Sequence, residues 1–426
     1  MPTIRQFLPS LLLVTLVATA ITPPLSRSGQ SVVDDPVRPV IVSGTEIGAF
    51  LGTPVDELFV YAYGIDTWTQ IPFQIDEKTL NEDGKRVYTS EGDGQIEADE
   101  ELVFMLKDMG EQAPPAAWLD GALTDYSIEL TVNARDGSPR WAYLFHGPEL
   151  SQMFTEDYVR FSGPAQRVIA ERYEAGFLDN GAGLGELRLN GSGVDILDRT
   201  KVRLQVVVLA IFRRTITEDD IEGEPVVPVK DGPVRLIRGE AGGFAYGSLF
   251  QEQNEISLSD VPVPGASLES FRVSWDFNEQ IVATSTLTVY LDANMSEPVV
   301  IDGQPDAVPT QPVPAWRQIS HPTGTIIVTI DLSSVGGTQR NYYRDDDTFD
   351  NNDTGDGRSY GDTGFSVDTP NASFSLNTSL LVLPPTEENV GAAYAEWLAQ
   401  PLAVTATRRT PAGPLGRKVY LPLIRR

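Results

Sequence analysis

The sequence predicts a mainly β protein, a β-sandwich or supersandwich with few short helices. Three observations predict it. Short runs of β-branched and aromatic residues recur along the chain, each closed by turn formers. The 31 prolines and 37 glycines are what a turn-rich β chain needs. Asn190-Gly191, set between Leu187–Leu189 and Val194–Leu197, is a short hairpin turn signal.

The elements follow in order. Val40–Val42, Glu57–Tyr63, Trp68–Ile75, Glu101–Leu106, Ser127–Val132 and Trp141–Phe145 read as strands of an N-terminal β domain spanning residues 37–160. A larger β-sandwich domain over 161–405 takes Arg167–Tyr173, Glu186–Leu189, Val202–Phe212, Val234–Arg238, Phe271–Trp275, Ala283–Leu291, Thr325–Leu332 and Ser373–Leu383. One segment reads as helix. Thr386 is its N-cap, Glu387 and Glu388 sit in the first turn, and Val390, Tyr394 and Trp397 share a face before Pro401 stops it. No fixed-period repeat is present.

Both ends of the chain stand apart. Arg5, the apolar run Leu8–Ala20 and Ala18-Thr19-Ala20 have the layout of a secretory signal peptide over residues 1–20. Residues 21–36 then read as a polar linker. The last twenty residues hold six basic side chains and no acid, so residues 406–426 form a basic tail. No stretch is long and apolar enough to predict a transmembrane helix. The expected location is secreted or extracellular, with cell-surface association as a variant of it.

Charge and composition narrow the function. The formal charge is −28, and −29 once Arg5 leaves with the signal. That excludes nucleic acid, which needs basic surface, and anionic membrane surfaces. With no cysteine there are no disulfides and no thiolate metal sites. About 405 residues remain after cleavage, room for two or three domains.

Two acidic loops carry the metal chemistry. Thr89–Glu101 is the first. With Gly94 at the sixth place of a twelve-residue loop, Glu91, Asp93, Gln95 (by its carbonyl), Glu97 and Glu100 fall at liganding places and Ile96 at the apolar one. The spacing resembles an EF-hand-like calcium loop over Thr89–Glu100, with Thr89 where aspartate is usual, Glu91 at the third place and a strand following. The second loop, Asp345–Asp356, packs six aspartates into twelve residues. Asp346, Asp350, Asp353 and Asp356, with the amides of Asn351 and Asn352, supply the oxygens that Ca²⁺ prefers. Two carboxylates ~4 Å apart repel by about 1 kcal/mol in water and about 4 kcal/mol at an effective dielectric near 20. The loops are therefore either hydrated or bridged by a structural Ca²⁺.

Other motifs point away from familiar catalysis. Gly181-Ala182-Gly183-Leu184-Gly185 lacks dinucleotide spacing and opens onto a strand. The two histidines, His146 and His321, lie in no H-E-x-x-H motif, and no G-x-S-x-G elbow is present. Catalysis, if any, falls to carboxylates, or to Tyr, Arg or Lys in a lyase. The six tryptophans serve either as core anchors or as sugar-stacking platforms. Lys230-Asp231-Gly232-Pro233-Val234-Arg235 resembles a turn of galactose-mutarotase-like supersandwich domains of carbohydrate-active enzymes, a likeness of six residues that carries no catalytic residue with it. Val419–Arg426 resembles ends seen on exported bacterial proteins and reads as a retention or sorting signal, or else as a final edge strand. These readings converge on an exported protein with a binding or structural role toward carbohydrate or a cell-surface component. A secreted polysaccharide lyase or glycosidase, and a docking subunit of a cell-envelope assembly, are the alternatives.

Overall fold

The computed structural model describes residues 38–411, apart from 124, 135, 209–211, 240–242, 258–265 and 293. The signal peptide, the linker over 21–36 and the tail beyond 411 lie outside the described residues. Strands take 48% of the chain against 8% helix, which makes it mainly β.

Nine strands open the fold: β1 (Pro39–Ser43), β2 (Leu58–Gly64), β3 (Thr67–Gln70), β4 (Phe73–Asp76), β5 (Lys78–Leu80), β6 (Arg86–Tyr88), β7 (Glu101–Met105), β8 (Ser127–Asn133) and β9 (Pro139–His146). The middle of the chain adds β10 (Val159–Ser162), β11 (Arg167–Ala170), β12 (Tyr173–Phe177), β13 (Leu184–Leu189), β14 (Leu197–Val208), β15 (Phe212–Thr217), β16 (Pro228–Asp231), β17 (Leu236–Arg238), β18 (Gly243–Ala245), β19 (Leu249–Ser257) and β20 (Ala266–Phe277). Helix α1 (Glu279–Thr284) follows. Then come β21 (Leu287–Tyr290), β22 (Val299–Ile301), β23 (Trp316–His321), β24 (Gly324–Asp331), β25 (Thr338–Asp346), β26 (Ser359–Asp368), β27 (Ser373–Leu383), α2 (Gly391–Ala399) and β28 (Val404–Arg409).

Every described pairing is antiparallel, so each strand can bury one face and leave the other wet. Sheet β1-β7-β4 packs on sheet β28-β8-β9-β2-β3. Val40, Val42, Leu58, Val60, Leu102, Phe104, Leu130 and Leu144 fill the space between them. β2 is buried on both sides. Its alternate residues Phe59, Tyr61 and Tyr63 enter an aromatic cluster with Trp68, Trp118, Tyr143 and Phe145. Trp68 meets Tyr143 and Phe145 edge-on at 4.9 and 5.1 Å, a packing role rather than an open stacking platform.

The larger part is built from the sheets β10-β11-β12-β13, β15-β14-β20-β26-β25 and β16-β17-β18-β19-β27-β24-β23-β21-β22. The second and third face each other across Leu204, Val206, Phe271, Val273, Phe365, Phe374 and Leu376. That is sheet-on-sheet packing, the sandwich class.

Several elements differ from the sequence reading. The Trp68–Ile75 run is two strands in two sheets, parted at Ile71-Pro72, because proline has no N–H for the ladder. Arg167–Tyr173 turns at Glu171-Arg172, with β11 and β12 on either side. Val202–Phe212 belongs to β14 and the first residue of β15, which pair with each other. Ala283–Leu291 starts in α1, which Asn278 caps by accepting the Gln280 N–H at 2.9 Å. The Asn190-Gly191 turn forms: φ is +48° at Asn190 and +67° at Gly191, the left-handed pair a two-residue hairpin needs. Asn190 then ties its amide to the carbonyls of Thr323 and Leu383.

The last helix begins at Gly391, four residues after the predicted first turn. Thr386 is not its cap. Its hydroxyl accepts the Glu388 N–H, while Gln318 Oε1, from β23, takes the N–H groups of Val390 and Gly391 at 2.8 and 2.9 Å. A tertiary acceptor won over a local one. The buried face is as predicted, with Tyr394 and Trp397 in the core.

Contacts cross residues 160 and 405, and the described residues belong to one compact unit. Residues 406–409, read as tail, are the last four residues of β28, which pairs with β8 as an edge of the N-terminal sheet. Arg409 there donates to the Pro114 and Ala117 carbonyls, and Arg408 lies 4.0 Å over Tyr126. The Lys230–Arg235 turn is a second tie. Gln74 Oε1 accepts the N–H groups of Val234 and Arg235 at 3.0 and 2.8 Å, and the buried Arg235 guanidinium meets Asp76 at 2.6 Å and Glu101.

One contact within the N-terminal part carries a pH signature. Tyr158 donates to both oxygens of Asp108, at 2.9 and 3.1 Å, and burial pushes the Asp108 carboxyl up to about 6. The folded protein thus holds a proton that the unfolded chain has already released. Stability from this group is full below the ordinary carboxylate pKa and falls as pH rises to about 6. Asp108→Asn keeps an acceptor for Tyr158. It should be more stable than the parent at pH 7.5, by about 1–3 kcal/mol, and show no advantage at pH 4. Urea unfolding at the two pH values checks this, and an equal effect at both would exclude the assignment.

Candidate metal centre

Period-two alternation along β14 puts Arg199, Lys201 and Arg203 on one face and Val202, Leu204 and Val206 on the other. The partners continue the pattern. β20 carries Asp276, β26 carries Asp362 and β25 carries Arg344, all outside the apolar core. One face of this sheet is therefore charged yet buried: Lys201, Asp276 and Asp362 are each fully inaccessible. The cover is the Asp345–Asp356 loop, the second acidic loop of the sequence.

The loop is tied down by charge. The Lys201 ammonium donates to Asp353 at 2.9 Å and to the Arg358 carbonyl at 2.7 Å, and forms an ion pair with Asp276 at 2.6 Å. Arg203 reaches Asp353, the Thr354 hydroxyl at 2.8 Å and the buried Glu218 at 2.6 Å. Glu218 also accepts the Val202 N–H at 2.9 Å. Burial alone would lower Lys201, but the charges of Asp276 and Asp362 outweigh it and hold it above its usual value. Asp353, despite its burial, is held low by Lys201 and Arg203.

Beside this network lies the metal candidate. Asp198, Asp276 and Asp356 each place a carboxylate oxygen within 4.8 Å of the other two, and among the described residues they are the group of three or more ligand-type side chains that does so. Gly355 makes the approach. Its φ is +72°, and a Cβ built there would stand 1.9 Å from Asp198 Oδ2. Burial, then the charge of Asp356, pushes Asp198 up to about 6. Burial, then Asp362, pushes Asp276 well above the carboxylate range. Asp198, Glu218, Asp276, Asp353, Asp356 and Asp362 share this face with Arg199, Lys201, Arg203, Arg272 and Arg344. A divalent cation would relieve the repulsion among the three converging carboxylates. All-oxygen anionic donors suit Ca²⁺ or Mg²⁺ rather than soft metals.

The predicted ligands separate accordingly. Asp356 is in the group. Asp353 is an ion-pair partner. Asp346 binds Arg344 and the Thr348 N–H, each at 3.0 Å, and Asp350 accepts the Asn352 N–H at 2.9 Å. The partners Asp198 and Asp276 escaped the sequence reading, since they lie far from Asp356 in the chain. The charges at every second residue in Arg199-Thr200-Lys201-Val202-Arg203 were the available signal.

The first acidic loop is held mainly through its own backbone. Glu91 is exposed, and its N–H meets the Thr89 hydroxyl at 3.0 Å. Asp93 accepts the N–H of Gln95 at 2.9 Å. Glu97 pairs with Arg86. Glu100 is buried and accepts the N–H groups of Glu97 and Lys78 at 2.8 and 3.2 Å. Glu77, from outside the motif, takes the Gly94 N–H at 2.7 Å. Strands β6 and β7 flank the loop, and Ile96 anchors it in the core.

His321 is buried, with its ring committed on both sides. Nδ1 lies 2.7 Å from the Thr323 hydroxyl and 3.2 Å from its N–H, and Nε2 lies 2.7 Å from Ser285 Oγ. The Ser285 hydroxyl donates to the Ile281 carbonyl at 3.1 Å. His146 pairs with Glu57 at 2.7 Å. A groove of about 510 Å³ runs past His321, lined by Thr288, Tyr290, Glu297, Ser320 and Glu387 among others. Among the described residues no helix is long and apolar enough to cross a membrane. Comparison with family models, with curated proteins and with solved structures gives no match to this chain.

Proposed function

We propose that this chain is an exported, calcium-stabilised β-sandwich protein with a binding or structural role, and that its partner is carbohydrate or another cell-surface component. The observation that carries the reading is the convergence of Asp198, Asp276 and Asp356 beneath the acidic loop. Three carboxylates next to a lysine make a weak site, suited to the ~10⁻⁴–10⁻³ M range of extracellular calcium modules. With ~1 mM calcium and a Kd of ~0.1 mM, such a site stabilises the fold by roughly 1.4 kcal/mol. In a chain without disulfides, that support falls where a loop must be held over a buried charged face.

The groove at Tyr290, Glu297 and Glu387 offers hydroxyls and carboxylates of the kind that bind sugar hydroxyls. It also defines the rival reading, a secreted carbohydrate-active enzyme. There Glu297 and Glu387, which face the same groove, would form the acid pair.

The expected result is that EDTA lowers the melting temperature, calcium restores it, and Asp356→Asn loses the calcium response. A melting curve unchanged by EDTA would remove the calcium reading. Glycan binding that survives Glu297→Gln and Glu387→Gln without any turnover supports the binding role. Polysaccharide cleavage lost in either variant supports the enzyme.

A further inference from the structure

Alternation from Thr286 to Tyr290 sends Leu287 and Val289 into the core and leaves Thr286, Thr288 and Tyr290 lining the groove of about 510 Å³. Ser320 of β23 pairs with Thr288 and lines the same space. Two connections complete the groove. Residues 291–298, between β21 and β22, bring Glu297, and residues 384–390, between β27 and α2, bring Glu387. Both backbones are pinned. Asn389 donates to the Asp292 and Met295 carbonyls at 2.9 and 3.3 Å, which ties one connection to the other. Tyr290 donates to the Glu387 carbonyl at 3.2 Å, and Gln318 donates to the Glu388 carbonyl at 2.7 Å.

The two carboxylates, by contrast, are uncommitted. Glu297 and Glu387 are exposed, and neither side chain makes a hydrogen bond or ion pair among the described residues. Among the described residues no lysine or arginine lines the groove. The scarcity begins in the sequence. Residues 273–339 and 359–407, which hold β21, β22, β23, β24, β27 and α2, contain one such side chain, Arg317, and it is fully buried. Burial also pushes His321 below the usual imidazole value, toward its neutral form. Burial, then the charges of Glu297 and Glu387, raise the Tyr290 hydroxyl, so both carboxylates act on the same atom. A groove charged with one sign focuses its field on ligands of the other and repels its own. Because the backbones are already fixed, little ordering is left to oppose binding.

We infer that the groove takes a glycan bearing free amino groups, of the glucosamine type, whose ammonium groups meet Glu297 and Glu387 and whose hydroxyls meet Thr286, Thr288 and Ser320. The inference rests on the carbohydrate reading above and names the class within it. An ammonium has three donors, enough to serve a carboxylate and a neighbouring hydroxyl together. N-acetylation removes the charge and keeps the ring, so it separates charge recognition from shape. A uronic acid brings a like charge against both glutamates. A lysine-rich peptide carries the same ammonium but not the hydroxyls that the threonine and serine side chains of this groove match.

The test is calorimetry on the full chain with oligomers of glucosamine, N-acetylglucosamine, glucose and galacturonate at equal length, and a lysine homopeptide as the competing class. The glucosamine oligomer should bind about tenfold or more tightly than the N-acetylated and glucose oligomers, and lose affinity as salt rises. The galacturonate oligomer should not bind. Glu297→Gln and Glu387→Gln should stay folded, since both side chains are exposed, and each should weaken glucosamine binding by about tenfold without abolishing it, because the amide oxygen still accepts from hydroxyls. Glucose or N-acetylglucosamine oligomers that bind as tightly as the glucosamine oligomer would overturn the inference and leave the carbohydrate reading standing. A lysine peptide that binds more tightly than every oligosaccharide, or no oligosaccharide binding at all, would overturn both. Glucosamine binding unchanged in both variants would overturn the assignment of this groove.

Discussion

Arg235→Met is expected to destabilise the protein by about 3–5 kcal/mol. The guanidinium is 1% exposed and the Asp76 carboxylate it serves is 0% exposed, so the substitution strands a buried charge. Lys230, 3.3 Å from Asp76, remains as a partial counter-ion and sets the loss toward the lower end. Arg235 also lies 4.8 Å over the Phe244 ring, a contact that the methionine side chain largely keeps. Adding Asp76→Asn should therefore restore part of the loss. Denaturant unfolding of the two single variants and the double variant measures it. If the double variant loses the sum of the two single losses, Arg235 and Asp76 are uncoupled and the junction is held by something else. The consequence reaches beyond stability. This turn joins the N-terminal sheets to the nine-stranded sheet, so its loss should first show as protease cleavage between them.

Lys201→Met should have a loss of similar size, about 3–5 kcal/mol in metal-free buffer, with a different dependence on calcium. Removing the ammonium leaves Asp276 with the Tyr360 N–H at 2.8 Å, while Asp353 keeps Arg203. The carboxylates are then freer to hold a divalent cation. Calcium should restore more stability to the variant than it adds to the parent. Equal calcium increments in parent and variant would mean that Lys201 and the cation do not share Asp276, and that the proposed centre is wrong in its ligands.

Much of the architecture was legible locally. Alternation, turn residues and the Asn190-Gly191 pair act over a few residues, and the strands lie close to where these signals put them. The misplaced boundaries have local explanations as well. Pro72 breaks a run that hydrophobicity joins, and Asn278 caps a short helix inside a β-branched stretch. The N-cap of α2 was not legible, because Gln318 approaches it from 72 residues away. The acidic loops show the same division. Ile96 at the apolar place was readable, and so was the crowding of six aspartates. That Asp353 would meet Lys201 and Arg203, while Asp356 would meet Asp198 and Asp276, depends on folding that brings the loop to β14 from 150 to 158 residues away.

The sequence by itself determined a mainly β chain, strongly acidic and free of cysteine, with carboxylates concentrated in two loops. These properties are sums over composition and near neighbours. Only the tertiary structure decided which carboxylates are ion-pair partners, which cap backbone N–H groups and which converge. It alone left the Arg317 guanidinium buried with no carboxylate against it among the described residues, and made residues 404–409 an edge of the sheet β28-β8-β9-β2-β3. The physical reason is range. Propensity and turn chemistry act along the chain, whereas burial and Coulomb interaction act through space, between residues whose separation in sequence carries no information about their distance.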